Sequence, residues 1–242
     1  VSARVRNIKS PNERSRGIPL CMEVLKYVFG RRGLLALQPS LCYVSWKSRP
    51  DLTDNDIQIA YAPASYDANR DMQLNDYPGV TCAPWQHVPK SKGVVQICSR
   101  DALEPPRIQP NYLQEPTDRK VLLAAARLSR DILSARAFSD FFESEDQPGS
   151  EVNTDDEWYD YMRQSVSTGY HPVGTCRMAP VSDPTAVVDS ELKVHGIEAL
   201  RVVDASVMPN IPSGNTHAST LMIAEKGSDM ILGKPPLQAT EL

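Results

Sequence analysis

Four segments in the last third of this 242-residue chain hold side chains able to move protons and steady negative charge. They are Tyr170-His171-Pro172-Val173-Gly174-Thr175-Cys176-Arg177-Met178, Val187-Val188-Asp189, Leu200–Pro209, and Ser213-Gly214-Asn215-Thr216-His217-Ala218 running on to Lys226. His171 stands between Tyr170 and Pro172, ahead of a glycine turn. A stiff backbone of this kind suits a positioned general base, and an imidazole titrates near working pH, so it can take a proton from an alcohol. An isolated histidine is more often a structural one.

Asn215 falls just before a helix-forming stretch, where an N-cap is the commoner role. The two roles are compatible. A helix amino terminus presents free N–H groups and a partial positive charge, which stabilise an oxyanion or a reduced cofactor. Asp204 follows the apolar run Leu200–Val203 and reads as a strand-end carboxylate. It can accept hydrogen bonds from cofactor hydroxyls or from its own turn.

Other chemistries fit less well. His87, His171, His195 and His217 have no metal-ligand spacing such as H-E-x-x-H, and no Gly-x-Ser-x-Gly elbow occurs. Cys21, Cys42, Cys82, Cys98 and Cys176 make an odd, scattered set without a C-x-x-C pair. That pattern fits neither a disulfide framework nor a zinc site, and it favours a reducing, cytoplasmic home. No apolar run reaches the roughly 18 residues that a membrane span needs. Val1–Arg16 is polar and basic, unlike a signal peptide, and the start at Val1 predicts a processed chain or one piece of a longer one. A net charge of −4 argues against a nucleic-acid partner. The charge is uneven: residues 1–50 hold ten Lys or Arg against two Glu, and Asp140–Asp160 holds nine acidic residues and no basic one. Each run reads first as a solvated face, and second as an interface.

Several elements must carry these residues. Val1–Ile8 alternates like a half-buried strand, and Leu20–Phe29 has helical apolar spacing that stops at Gly30-Arg31-Arg32-Gly33. Residues 56–63, 79–88 and 93–99 predict strands, and their short gaps favour an antiparallel sheet. The proline-rich stretch 100–112 predicts irregular chain. A long helix is expected after Pro116, capped by Thr117 or Asp118, and a second one is capped by Thr154 or Asp155. The acidic stretch 139–157 predicts a loop. From Gly169 short strands and tight turns lead to a final helix at about 217–232, with Leu221, Met222, Ala224, Ser228, Met230 and Ile231 on its buried faces. The expected organisation is a domain over 1–166, a segment over 167–233 and a loose tail over 234–242.

The order and spacing of the four segments are what raise their weight. The chain resembles the glucose–methanol–choline (GMC) oxidoreductases, whose carboxyl-terminal pattern is His-x-x-Gly-Thr-x-x-Met, Val-Val-Asp, Arg-Val-x-Asp-(Ala/Gly)-Ser with a following Pro, and an Asn or His before a terminal helix. Every piece is present in order over residues 167–233, and Pro105–Ile108 with Pro110–Leu113 resembles the family's substrate-domain connection. The resemblance implies an α+β fold: an antiparallel-sheet substrate domain with helices, followed by the carboxyl-terminal piece of an FAD-binding α/β domain. It implies that His171 is the catalytic base and Asn215 the second catalytic residue, with His217 the weaker contender because the spacing to Glu225-Lys226 favours Asn215. Asp204 and Ala205 would lie near the ribityl and pyrophosphate groups of FAD, and the backbone at Thr216 and His217 near the flavin ring. The reaction implied is proton abstraction from a small-molecule alcohol with hydride transfer to flavin.

One departure matters. The family's flavin fold opens on Gly-x-Gly-x-x-Gly, and this sequence contains no Gly-x-Gly. The expected partner is therefore an amino-terminal FAD-binding half, on a second chain or in a missing segment. A flavin-free remnant of the fold and an FAD-holding hydroxynitrile lyase of the same family are the alternatives the sequence leaves open.

Overall fold

Apolar alternation and apolar helical spacing together build this fold. In the computed structural model, residues 1–67 and 73–235 are described. Among these residues seven strands run β1 (Ser2–Val5), β2 (Cys42–Trp46), β3 (Ile57–Ala62), β4 (Gly79–Gln86), β5 (Val94–Gln96), β6 (Arg107–Gln109) and β7 (Phe142–Gln147). The described residues also form five α-helices: α1 (Pro11–Arg14), α2 (Gly17–Gly30), α3 (Pro116–Ser134), α4 (Asp155–Ser165) and α5 (His217–Ile231). The mixed helix and antiparallel-sheet class matches the expectation from sequence. The chain divides into two compact units: Val1–Gln86 with Leu113–Val166, and His87–Tyr112 with Ser167–Leu242. Both units are discontinuous, whereas the expected organisation draws one boundary near residue 167. The tail expected beyond Gly233 lies, from residue 236 on, outside the described residues.

The first unit is a five-stranded antiparallel sheet in the order β2-β3-β4-β1-β7, with α3 laid on it. Ala3, Val5, Ile57, Ile59, Val80 and Cys82 from the sheet pack against Val121, Ala125 and Leu133 of α3. The i, i+4 spacing of Val121 and Ala125 puts both on one helical face. Burial pushes the Cys82 thiol up to about 11, so it stays protonated and packs as a small apolar group. All five cysteines are free thiols.

Three local features differ from expectation, each for a physical reason. The acidic stretch expected as a loop contains β7, an edge strand beside β1. Two of the strand's three carboxylates are held: Arg130 forks onto Glu145 at 2.8 Å through both Nε and Nη2, and Asp146 accepts from Tyr77 and Ser2. Charged residues are common devices on sheet edges. Helix α3 begins at Pro116 with Glu115 as its cap, because proline's fixed φ suits the first helical position. Residues 107–109, expected to be irregular, pair with β5 as a short antiparallel ribbon. Thr154 does cap α4, in a reciprocal pair with Glu157.

One buried carboxylate ties α1, α2 and the turn beyond them together. Glu23 is 3% exposed, accepts from Lys26 at 2.9 Å, from the Leu34 backbone N–H at 2.8 Å, and pairs with Arg14 at 2.9 Å. Gly33 sits at φ +85°, and a Cβ there would meet the Glu23 carboxylate at 2.4 Å, so the position excludes other residues twice over. The hydrogen bonds from Lys26, Leu34 and Arg14 hold the Glu23 carboxyl down to about 2, from an ordinary value of 4.5. A depressed folded pKa stabilises the fold above the unfolded value, and the contribution is lost as pH falls toward the folded one. Glu23→Gln is therefore expected to lower Tm at neutral pH, with the gap to the unmodified chain closing between pH 4.5 and about 2. A gap independent of pH across that window would refute the assignment.

Candidate active site

The second unit has its own small core. Val188, Leu192, Val207, Met208 and Ile223 are buried together, flanked by Val173, Met178, Val203 and Met230. Its regular structure is sparse because its backbone bonds are mostly turns and single bridges. Two of them matter for the site. Cys176 N–H donates to Ser206 O at 3.0 Å and Met178 N–H to Val207 O at 2.9 Å, which lays the His171 segment along the 3-10 turn Ala205–Val207. Asp204 caps that turn by accepting from Ser206 N–H at 2.7 Å. Asp204 is otherwise exposed, and the turn role expected for it is filled by this bond. Ala205 is half-buried at the first position of the same turn.

Helix α5 is held close to this core by a stripe at i, i+4, i+7: Ile223, Gly227 and Met230. A Cβ on Gly227 would meet Val203 Cγ1 at 2.5 Å, so the helix approaches at a distance only glycine permits. The buried face is thus narrower than the sequence predicts: Leu221, Met222 and Ile231 are more than half exposed.

The loop entering α5 carries the polar residues. Gly214 takes φ +149°, a conformation L side chains rarely adopt, and its N–H donates to Pro212 O at 2.8 Å. Ser213 Oγ lies 3.3 Å from Nδ1 of buried His87, which anchors the loop one residue before Gly214. On the other side of the site, Tyr170 takes φ +59°, a left-handed conformation that costs a non-glycine residue about 1–2 kcal/mol. Its N–H donates to Thr168 Oγ1 at 2.9 Å. His171 is thus flanked by a left-handed Tyr170 and by Pro172, two constraints on its backbone.

These elements bring two of the predicted side chains into contact. Asn215 Nδ2 lies 2.9 Å from His171 Nε2, across 44 residues of chain. The other imidazole nitrogen, Nδ1, lies 3.1 Å from Thr216 Oγ1. Asn215 is exposed, His171 half-buried and Thr216 7% exposed. The cap of α5 is Thr216, not Asn215, and Thr216 makes no side-chain cap; its hydroxyl turns to the imidazole instead. His217 is the first residue of α5 and is exposed. The first-turn N–H groups therefore lack a side-chain cap and sit beside Asn215 and His217. Such a donor set fits the electron-rich edge of a reduced flavin or an oxyanion.

Sequence reasoning missed two side-chain contacts here, those of the Thr216 hydroxyl and of His87. Neither lies in a motif whose spacing assigns a side-chain partner, and both contacts are long-range in sequence, 45 and 126 residues apart. His195 plays a structural part, its Nε2 lying 3.1 Å from Ala179 O. Among the described residues there is no cluster of three His, Cys, Asp or Glu able to hold a metal ion. No helix among them is long and apolar enough to cross a membrane.

The family model for GMC oxidoreductase matches residues 89–224, more than half of the chain. An alcohol dehydrogenase [acceptor] from Pseudomonas putida is 37% identical over 211 residues, covering 87% of this chain and 38% of that protein. An oxygen-dependent choline dehydrogenase from Vibrio vulnificus is 39% identical over 214 residues, covering 88% and 38%. The chain thus spans well under half the length of these relatives. Among solved structures, a pyridoxine 4-oxidase from Mesorbium loti is 30% identical over 83% of this chain and 39% of its own, with a TM-score of 0.73. A formate oxidase superposes over 96% of this chain and 45% of its own, with a TM-score of 0.82 at 24% identity, which speaks to fold alone.

Proposed function

This chain belongs to the GMC oxidoreductase family, and from that premise we propose that it is the carboxyl-terminal, base-bearing part of an FAD-dependent enzyme that oxidises the CH–OH group of an alcohol. The observation that carries the reading is the 2.9 Å contact between His171 Nε2 and Asn215 Nδ2 in one compact unit. A structural histidine has no need of a carboxamide at its outer nitrogen. An alcohol oxidation needs both: an acceptor for the hydroxyl proton and a donor that holds the oxygen in place.

FAD, when bound, supplies the hydride acceptor; a formate oxidase of this fold from Aspergillus oryzae carries FAD. The residues that would hold it are the exposed first turn of α5 at Thr216 and His217, and Asp204 and Ala205 on the neighbouring 3-10 turn. An alcohol oxygen entering the site displaces the direct Asn215–His171 contact and takes a place beside both. His171 Nε2 accepts the hydroxyl proton, and the Asn215 amide N–H donates to the oxygen as negative charge grows there. Tyr170 and Pro172 fix the imidazole, so it is positioned before substrate arrives. The missing Gly-x-Gly segment is expected on an amino-terminal flavin-binding half, which the longer relatives have room for.

The reading is tested by joining this chain to the amino-terminal portion of the P. putida relative and following flavin absorbance during addition of alcohols. Bleaching of bound flavin by an alcohol supports it. A yellow complex that no alcohol bleaches, with or without an added acceptor, removes it. In that complex, Asn215→Ala is expected to lower kcat about 10-fold while flavin content stays unchanged. Loss of flavin instead of turnover would make Asn215 structural.

A further inference from the structure

We propose that Thr216 is a positioning residue whose hydroxyl pins the His171 ring proton on Nδ1 and so keeps the Nε2 lone pair facing Asn215. The inference deepens the proposed function and rests on His171 being its base. As the Asn215 amide is oriented, its nitrogen can only donate, so Nε2, 2.9 Å away, must accept. A neutral imidazole has one N–H, which then sits on Nδ1. The group there, Thr216 Oγ1 at 3.1 Å, can accept it. Both contacts are satisfied by one tautomer only.

Thr216 is built for this job rather than for capping. It holds the cap position of α5, yet its backbone lies at φ −77°, ψ −8° instead of the extended conformation from which a cap side chain reaches the first turn. Its hydroxyl makes no cap bond. The residue is 7% exposed, so water does not readily replace the hydroxyl at Nδ1. In water, by contrast, the imidazole of histidine prefers its proton on Nε2, the nitrogen that has to be bare to accept a proton from an alcohol. The Asn215 donor at Nε2 and the Thr216 acceptor at Nδ1 together offset that preference. A wrong tautomer can cost far more than a displaced one, as serine hydrolases show when the residue orienting their histidine is changed.

The test uses ring-15N histidine in the flavin-loaded complex, with the His171 signals assigned from a His171→Gln variant. The unmodified complex is expected to show a protonated Nδ1 and a bare Nε2. Thr216→Val, which keeps shape and loses only the oxygen, leaves an Nδ1 proton without an acceptor and should move the proton to Nε2, with the Asn215 amide turning its oxygen to the ring. Thr216→Ser should restore the original spectrum, and it guards against misfolding as the cause. In turnover, Thr216→Val is expected to lower kcat at least about 10-fold with KM changed less than about 2-fold, and Thr216→Ser to recover most of it. A His171 spectrum identical in the unmodified, Val and Ser forms overturns the proposal, as does a protonated Nε2 in the unmodified complex. A tautomer that follows Thr216 while kcat stays constant supports the link between hydroxyl and ring, and counts against His171 as the base.

Discussion

In the flavin-loaded complex, His171→Ala is expected to lower kcat/KM at least about 100-fold, the scale of a general base, while leaving bound flavin and the fold in place. A factor of 100 corresponds to about 2.7 kcal/mol of transition-state stabilisation. The alternative cause of such a loss is local unfolding, and the structure argues against it. His171 is half-buried and makes two side-chain hydrogen bonds, to Asn215 and Thr216. Asn215 is exposed and regains water when the ring goes. Thr216 is buried and loses an acceptor role only, which a rotating hydroxyl tolerates at about 1 kcal/mol. The core of the second unit, Val188 through Ile223, lies in other side chains and remains. Activity should therefore fall much further than stability. Parallel measurements of kcat/KM, flavin absorbance and Tm separate the two, and an unaltered kcat/KM at full flavin content would remove His171 from the mechanism.

Much of the site was legible because the chemistry lies in short motifs. The order His171, Asp189, Asp204, Asn215 carries the family pattern, and the family pattern carries the expectation that His171 and Asn215 meet. What could not be read is how they are held. The contacts of Thr216 Oγ1 and His87 Nδ1 bridge 45 and 126 residues, and nothing in local composition records such a pairing. Local propensity failed in a second way at β7. Six residues, Phe142–Gln147, carry three carboxylates, which in isolation predict solvated loop. They form a strand because β1 supplies the ladder and Arg130, Tyr77 and Ser2 supply the counter-groups. The narrow face of α5 is a third case. Apolar periodicity marks Leu221 and Met222 as readily as Ile223, and only the close approach at Gly227 decides which side turns inward.

The other large effect lies in the first unit, at Trp158. This residue is 1% exposed and closes a cluster with Leu123, Ala126 and Met162 between α3 and α4. Tyr161 meets its ring edge-on at 6.3 Å, and the Arg130 guanidinium lies 4.4 Å above the ring centroid. Two contributions compete here. Truncating a buried tryptophan to alanine typically costs about 3–5 kcal/mol through lost burial and the cavity left behind. The cation–π contact adds about 0.5–2 kcal/mol, and Arg130 keeps its other bonds to Glu145, Gly149 O and Val152 O in the variant. Burial should therefore dominate: Trp158→Ala is expected to destabilise the first unit by about 3–5 kcal/mol, and Trp158→Phe by clearly less, although phenylalanine also offers Arg130 a face. The chain supplies its own probe. Its three tryptophans, Trp46, Trp85 and Trp158, all fall in the first unit, so their fluorescence follows that unit and not the one carrying His171. Urea titration read by fluorescence should show the midpoint falling with an unchanged slope, with Trp46 and Trp85 as reporters in both variants. Equal losses for the Phe and Ala variants would mean that the indole's own contacts, rather than the volume it fills, hold α4 to α3.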